Sequence, residues 1–237
     1  MLFLAVFLGF VAENFREDFA EKQQAVELAK SFYEELKNDS VAIAAKIQGR
    51  IKKETAILYM VDFFRDSSLT STSKALSLNF VQAMTVRTPI IFTPRTVVFE
   101  QLKSSGSLRY FKNKELQKMI GDLSVAIDYI AARQEYENNI FYSHIEPLMV
   151  KHMDFTFQRK LFKDELVFER LAEYEGNDEY IPFKLSQIEK IDRQGIINML
   201  GYYHTNGLKS TRLIPFQQYV KANAAALAVL RAEYDIL

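Results

Sequence analysis

Cysteine and tryptophan are both absent from this sequence of 237 residues. The absence of cysteine excludes disulfide bonds, thiolate metal sites and cysteine nucleophiles, and it is compatible with oxidising and reducing compartments alike. Glycine and proline are scarce, with 8 and 5 copies. So few turn-forming residues predict long helices rather than a turn-rich β fold.

A net charge is also lacking, because 30 Lys and Arg residues balance 30 Asp and Glu residues. Without an overall positive field, the composition does not favour binding to nucleic acid. Hydrophobic residues make up 49% of the chain and charged residues 25%, which is typical of a globular protein. The chain is long enough to bury a real hydrophobic core.

The sequence motifs of common enzyme classes are missing too. No G-x-S-x-G segment occurs, and no glycine-rich loop is followed by Lys and Ser or Thr. His144 and His152 are separated by eight residues, about 12 Å along a helix, which is too far for one metal ion unless Pro147 bends the chain sharply. The basic residues Lys46, Arg50, Lys52 and Lys53 are interpreted as a solvated helix face. We therefore predict no catalytic, cofactor-binding or metal-binding residues, and a protein that is not an enzyme.

The first twelve residues, Met1 to Ala12, carry no charge. As a helix they rise about 18 Å, against roughly 30 Å for the hydrocarbon core of a bilayer. Three interpretations are compatible with this length: part of a span that starts upstream of Met1, a core helix of a soluble protein, or a short anchor completed by a partner or a thin bilayer. We favour the first, so residues 1–12 are expected to be the C-terminal part of a membrane span. The side chains expected in the membrane are Leu2, Phe3, Leu4, Val6, Phe7, Leu8 and Phe10.

Beyond Ala12 the apolar residues recur with alternating spacings of four and three, a heptad-like seam with one polar member. The seam consists of Phe15, Phe19, Lys22, Val26, Ala29, Tyr33 and Leu36. It predicts that the first helix continues from the apolar segment as far as Lys37. Few basic residues flank the apolar end, which favours an extracytoplasmic location for residues 13–237, on the periplasmic side if the envelope has two membranes.

Asn38, Asp39 and Ser40 are residue types that cap helices, and they predict a tight reversal. Long helices are expected at about 1–37, 41–65, 114–146 and 215–236, packed as an antiparallel bundle. Pro147 is expected to kink or end the third of these.

Three polar residues interrupt otherwise apolar seams: Gln134, Glu137 and Asn223. One interpretation is that they set the register of the bundle or lie at its partly exposed end. The alternative is a polar pocket that binds a small ligand.

Three segments resemble a known group of proteins. They are LGFVAENFRE, FTPRTVVFEQLKSSGSLRYFKNKELQKMI, and the tail from Ile191 to Tyr234. They resemble uncharacterised single-pass membrane proteins common in Bacteroidota, which have one hydrophobic helix followed by a helical domain. This sequence departs from that pattern because it lacks the basic N-terminus and half of the span. The resemblance implies a topology and no chemistry.

These observations predict an all-α, membrane-anchored interaction or scaffold domain, an accessory subunit of an envelope membrane complex. The alternative is a ligand-binding sensory domain of the helical-bundle type. The expected partners are the lipid bilayer, through the N-terminal helix, and a protein partner or a second copy of the chain.

Overall fold

A computed structural model describes residues 2–162 and 167–236, and within these ranges every regular element is helical. The prediction of an all-α protein is confirmed. The α-helices are α1 Leu2–Asp66, α2 Lys74–Met84, α3 Val97–Ser104, α4 Lys114–Ile140, α5 Glu146–His152, α6 Phe155–Phe162, α7 Val167–Gly176, α8 Arg193–Tyr202 and α9 Gln217–Tyr234. Short 3-10 helices span Thr88–Ile90, Ser107–Tyr110 and Ile188–Lys190, and π-helical turns span Phe141–Ile145, Tyr203–Lys209 and Arg212–Phe216.

The chain forms two compact units. The first unit contains Met1–Ile43, Thr93–Asp128 and Gln217–Leu237, and the second contains Ala44–Phe92 and Tyr129–Phe216. Helices α1 and α4 each contribute residues to both units.

The predicted reversal at Asn38–Ser40 is wrong, because α1 runs through it without interruption. The side chains of Asn38 and Ser40 donate hydrogen bonds to carbonyl oxygens four residues earlier, at 2.8 and 3.1 Å. Asp39 is buried, and its carboxylate accepts hydrogen bonds from the Arg95 backbone N–H and the Tyr219 hydroxyl. Residues of the capping type therefore find their partners within the helix or in the tertiary structure, and no helix end is required.

Two prolines lie within longer helical segments that continue past them. A proline lacks the backbone N–H, and its ring presses on the carbonyl four residues earlier. Pro147 lies two residues after the end of the π-helical turn Phe141–Ile145, and Pro215 lies inside the π-helical turn Arg212–Phe216. The wider turns accommodate each ring, so one helical segment runs from Lys114 to His152 and another from Arg193 to Tyr234. The predicted boundaries at 146 and 215 are therefore wrong.

The core of the first unit is built on the buried face of α1. Phe32 of α1 stacks on Phe99 of α3, with ring centroids 6.5 Å apart. Glu35, also on α1, accepts hydrogen bonds from the backbone N–H groups of Val98 and Phe99 at 2.8 and 3.0 Å. Because the N-cap residue Thr96 makes no side-chain cap, Glu35 satisfies the first N–H groups of α3 from another helix.

The core of the second unit is rich in aromatic rings. The Phe183 ring lies 5.1 Å from both Phe80 of α2 and Phe157 of α6, measured between centroids. Phe157 also meets Tyr174 of α7 edge to face at 6.4 Å. Such tilted and edge-to-face pairs are favourable beyond the area that they bury. The rings thereby connect three short helices with one another.

Candidate functional site

The N-terminal part of α1 extends beyond the packed core of the first unit. From Val6 to Gln24 the side chains are exposed or half-exposed, and full burial begins at Ala25. Val6, Phe7, Leu8 and Phe10 are 52%, 57%, 57% and 68% exposed. The side chains of Leu2, Phe3 and Leu4, also predicted to lie in the membrane, are outside the described part of the structure. Within that part, the four apolar side chains are left largely uncovered by the protein.

The helix passes from this apolar segment into the charged segment at Glu13 without a break. Among the described residues, however, no helix has an apolar stretch of the length needed to cross a bilayer.

The predicted seam of α1 is buried only in its second half. Ala29, Tyr33 and Leu36 are buried, whereas Phe15 and Phe19 are 71% and 62% exposed. The spacing places both phenylalanines on the helix face that packs inside the unit further along the chain. The first half of the seam is thus an exposed aromatic face.

The structure places the three predicted pocket residues in two different units. In the second unit, Gln134 exchanges two hydrogen bonds of 2.8 Å with the backbone of Phe92. Glu137 pairs with Arg50 through two hydrogen bonds of 2.8 and 3.1 Å. In the first unit, Asn223 donates to the Leu36 carbonyl and accepts from Ser40. Protein groups thus engage all three side chains, which favours the register-setting interpretation, and a ligand pocket at these residues stays a prediction.

Two buried cations in the second unit differ from the sequence prediction. Arg50 and Lys53 have no exposed surface, although they were interpreted as part of a solvated face. The interpretation holds for Lys52, which is exposed and pairs with Glu175. A signal was present: Arg50 lies seven residues after Ile43 and seven before Ile57, both of which are buried. A position one heptad from core residues on both sides is a core position.

Arg50, Lys53 and Glu137 form a buried charge cluster in the second unit, and the half-buried Arg87 lies beside it. The Arg50 guanidinium lies 4.4 Å from the centroid of the Phe216 ring. The Arg87 guanidinium lies 4.2 Å from the centroid of the Phe141 ring. Lys53 donates a hydrogen bond of 2.7 Å to the Val86 carbonyl.

Burial shapes the electrostatics of the buried charge cluster. It lowers the pKa of Lys53 to about 7, with help from the positive charge of Arg87, while Glu137 opposes the shift. It also raises the pKa of Tyr203, whose ring centroid lies 6.0 Å from the Lys53 ammonium. Near neutral pH Lys53 can therefore gain or lose a proton inside the core, which few lysines do.

Each of the three π-helical turns places an aromatic ring beside these charges. Phe141 begins the first turn, Tyr203 begins the second and Phe216 ends the third. In the second turn, a Cβ added at Gly207 would lie 3.1 Å from the Tyr203 ring and 3.7 Å from Cγ of Glu137. Glycine thus permits this close approach. Such wide turns often occur at functional sites, and here they position the aromatic rings against the buried charges.

His144 and His152 line one cavity of about 320 Å³, together with Lys151 and Lys190. His152 is buried and shares a hydrogen bond of 2.9 Å with the Ser186 carbonyl, while His144 is exposed. In the described ranges, no group of three or more possible ligands is arranged to hold a metal ion.

Comparison with known family models, curated proteins and solved structures finds no match to this chain. The resemblance to single-pass membrane proteins of Bacteroidota stays a prediction.

Proposed function

We propose that this protein is a membrane-anchored helical interaction domain, an accessory subunit of an envelope membrane complex. The observation that carries the proposal is the exposure of Val6, Phe7, Leu8 and Phe10. Fully burying a large apolar side chain contributes roughly 1.5–3 kcal/mol, so transfer of these four partly exposed side chains into lipid would contribute roughly 3–8 kcal/mol. That sum is comparable to the stability of a whole domain, about 5–15 kcal/mol.

The charge pattern of α1 supports a defined depth of insertion. The first charged side chain is Glu13, which forms an exposed ion pair with Arg16. Charged groups are costly in the hydrocarbon region, so Glu13 limits how deeply the helix enters. The preceding helix of about 18 Å reaches roughly the middle of the bilayer.

The exposed aromatic face of α1 supports a second contact. Phe15 and Phe19 follow directly after the proposed membrane segment, where a partner protein in the same membrane would meet them. We propose that such a partner, or a second copy of the chain, covers them.

The scarcity of basic residues next to the apolar segment supports an extracytoplasmic, periplasmic location for residues 13–237.

We also infer an antiparallel arrangement of the long helices in the first unit. Tyr33, Leu36 and Asp39 of α1 form hydrogen bonds with Arg231, Asn223 and Tyr219 of α9, in that order. The residue numbers rise along one helix as they fall along the other, which is the pattern of antiparallel neighbours.

Vesicle flotation tests the membrane contact. We expect the full chain to float with lipid vesicles, and the double substitution Phe7→Ser with Phe10→Ser to remain at the bottom of the gradient. The matched control is Val41→Ser with Val97→Ser, which removes two exposed apolar side chains elsewhere in the first unit. Equal flotation of both variants would contradict the proposed anchor.

Chemical cross-linking in membranes tests the protein contact. Phe15→Ser with Phe19→Ser should abolish cross-links to the partner or second copy and leave flotation unchanged. Unchanged cross-links would show that this face is not the contact.

A reporter that is active only in the cytoplasm, fused at the C-terminus, tests the orientation. We expect this reporter to be silent, and a strong signal would refute the extracytoplasmic location.

A further inference from the structure

A cavity of about 410 Å³ lies between α1, α2 and α7 of the second unit. Its apolar walls include Ala56, Leu78 and Leu171. Its lining also includes five polar or charged residues, and a volume of several hundred Å³ is typical of small-molecule sites. This cavity contains none of the residues of the buried charge cluster.

One buried polar side chain in this cavity has no protein partner. Gln82 is 7% exposed and lines the cavity, and its amide makes no hydrogen bond with any described residue. The neighbouring polar side chains are paired: Asn79 donates to the Ala75 carbonyl at 2.8 Å, and Thr55 to the Ile51 carbonyl at 3.0 Å. The amide atoms of Gln82 keep a little accessible surface at the cavity, so they are placed to pair with a group that the cavity receives.

The charges at the cavity define the ligand further. Lys52 and Glu175 both line it, and they form an ion pair of 2.7 Å. Since these opposite charges pair with each other, no net charge remains to attract an ionic head group. A glutamine amide offers two donors and an acceptor, and a second carboxamide complements it through one donor and one acceptor.

We propose that this cavity binds a small, uncharged molecule with a carboxamide-type edge on a compact apolar body. The carboxamide edge pairs with the Gln82 amide, and the apolar body contacts Ala56, Leu78 and Leu171. The inference is independent of the membrane anchor, and it gives the ligand-binding alternative a site away from Gln134, Glu137 and Asn223.

Three probes of the same shape test this proposal on the full chain. Benzamide carries the carboxamide, acetophenone replaces its NH₂ with a methyl group, and benzoate carries a charge. Titrations are followed by two-dimensional amide NMR, with the detergent held constant and the free probe concentration measured. We expect benzamide to bind about five- to tenfold more tightly than acetophenone, because a hydrogen bond is lost in the latter. Benzoate should bind more weakly still.

Two variants assign the binding to this cavity. Gln82→Met keeps the side-chain length and should abolish the preference for benzamide, whereas the control Gln48→Met, at an exposed position of α1, should retain it. Ala75→Phe, at an exposed position on the rim, should block all three probes and leave the fold intact. The proposal is overturned if benzamide shows no saturable binding, if the three probes bind equally, or if the preference survives Gln82→Met.

Discussion

The two units satisfy the buried charges of α1 in different ways. In the first unit, α1 buries the carboxylates of Glu35 and Asp39, and backbone N–H groups and a tyrosine hydroxyl satisfy them. In the second unit, α1 buries the cations of Arg50 and Lys53, with Glu137 as the hydrogen-bonded carboxylate. The first arrangement uses dipoles that are fixed by the backbone, whereas the second depends on one counter-charge from α4. The second unit should therefore be more sensitive to substitution and to pH.

The largest effect is expected from removing the counter-charge. Glu137→Gln preserves the shape of the side chain but removes the carboxylate that pairs with Arg50 and the negative charge that favours protonated Lys53. It should lower the free energy of unfolding by roughly 3–5 kcal/mol. Urea unfolding measures the loss, and peptide-resolved hydrogen exchange assigns it to the second unit. The control Glu175→Gln breaks the exposed ion pair with Lys52 and should cost less than about 1 kcal/mol. Similar losses in both variants would contradict the account.

The next effect is a dependence of stability on pH. The pKa of Lys53 is about 7 in the folded protein and about 10.5 as a free side chain, so the unfolded chain binds more protons between these values. The free energy of unfolding should therefore rise as the pH increases from 7 to 10.5, by on the order of 3 kcal/mol. Lys53→Met should remove this slope. If both proteins show the same pH dependence of urea unfolding, Lys53 is not the group responsible.

The first unit should show the opposite dependence at acidic pH. Burial raises the pKa of Asp39, and the hydrogen bond from Tyr219 only partly offsets the shift. The native state then holds this proton more tightly than the unfolded state, so the contribution to stability is present in acid and is lost as the pH rises through the folded pKa. Asp39→Asn should remove the slope and change stability by about 1–2 kcal/mol. Hydrogen exchange of the first unit, measured across pH 3–6, checks this expectation.

The smallest effect is expected at the helix cap. Glu35→Gln retains one acceptor oxygen for the first N–H groups of α3 but loses the charge, at a cost of about 1 kcal/mol. Faster exchange should be confined to the amides of α3. A loss as large as that of Glu137→Gln would remove the proposed difference between the two units.

The helical segments were predictable because their apolar residues recur at spacings of three and four. Their ends were not, because two kinds of compensation are invisible in one sequence. Asp39 and Ser40 resemble a helix cap in the sequence, but their partners in the fold are Tyr219 and Asn223, which lie 180 and 183 residues further along the chain. Likewise, Pro215 resembles a helix start until a π-helical turn makes room for its ring.

Some candidate sites could likewise be predicted from the sequence, and others could not. The apolar N-terminal segment can be identified from the sequence because its twelve residues are consecutive and uncharged. The burial of Arg50 and Lys53 is not predicted, because a charged residue in a helix is usually a surface residue. The carboxylate that pairs with Arg50 belongs to Glu137, 87 residues further along the chain, and only the tertiary structure brings the two together. The sequence does not indicate Gln82 as a site residue, because only the tertiary structure shows that its amide lines a cavity without a hydrogen bond to the described residues.

The insertion of the N-terminal helix into lipid is the central claim, and spin-label accessibility tests it most directly. Because the chain has no cysteine, Leu8→Cys and Val41→Cys each provide a single labelling position. Both residues are exposed on α1, so they differ only in their proposed surroundings. In vesicles, we expect the label at position 8 to be accessible to oxygen and protected from a water-soluble nickel chelate, and the label at position 41 to show the reverse. Equal accessibility of both labels to the nickel chelate would contradict membrane insertion.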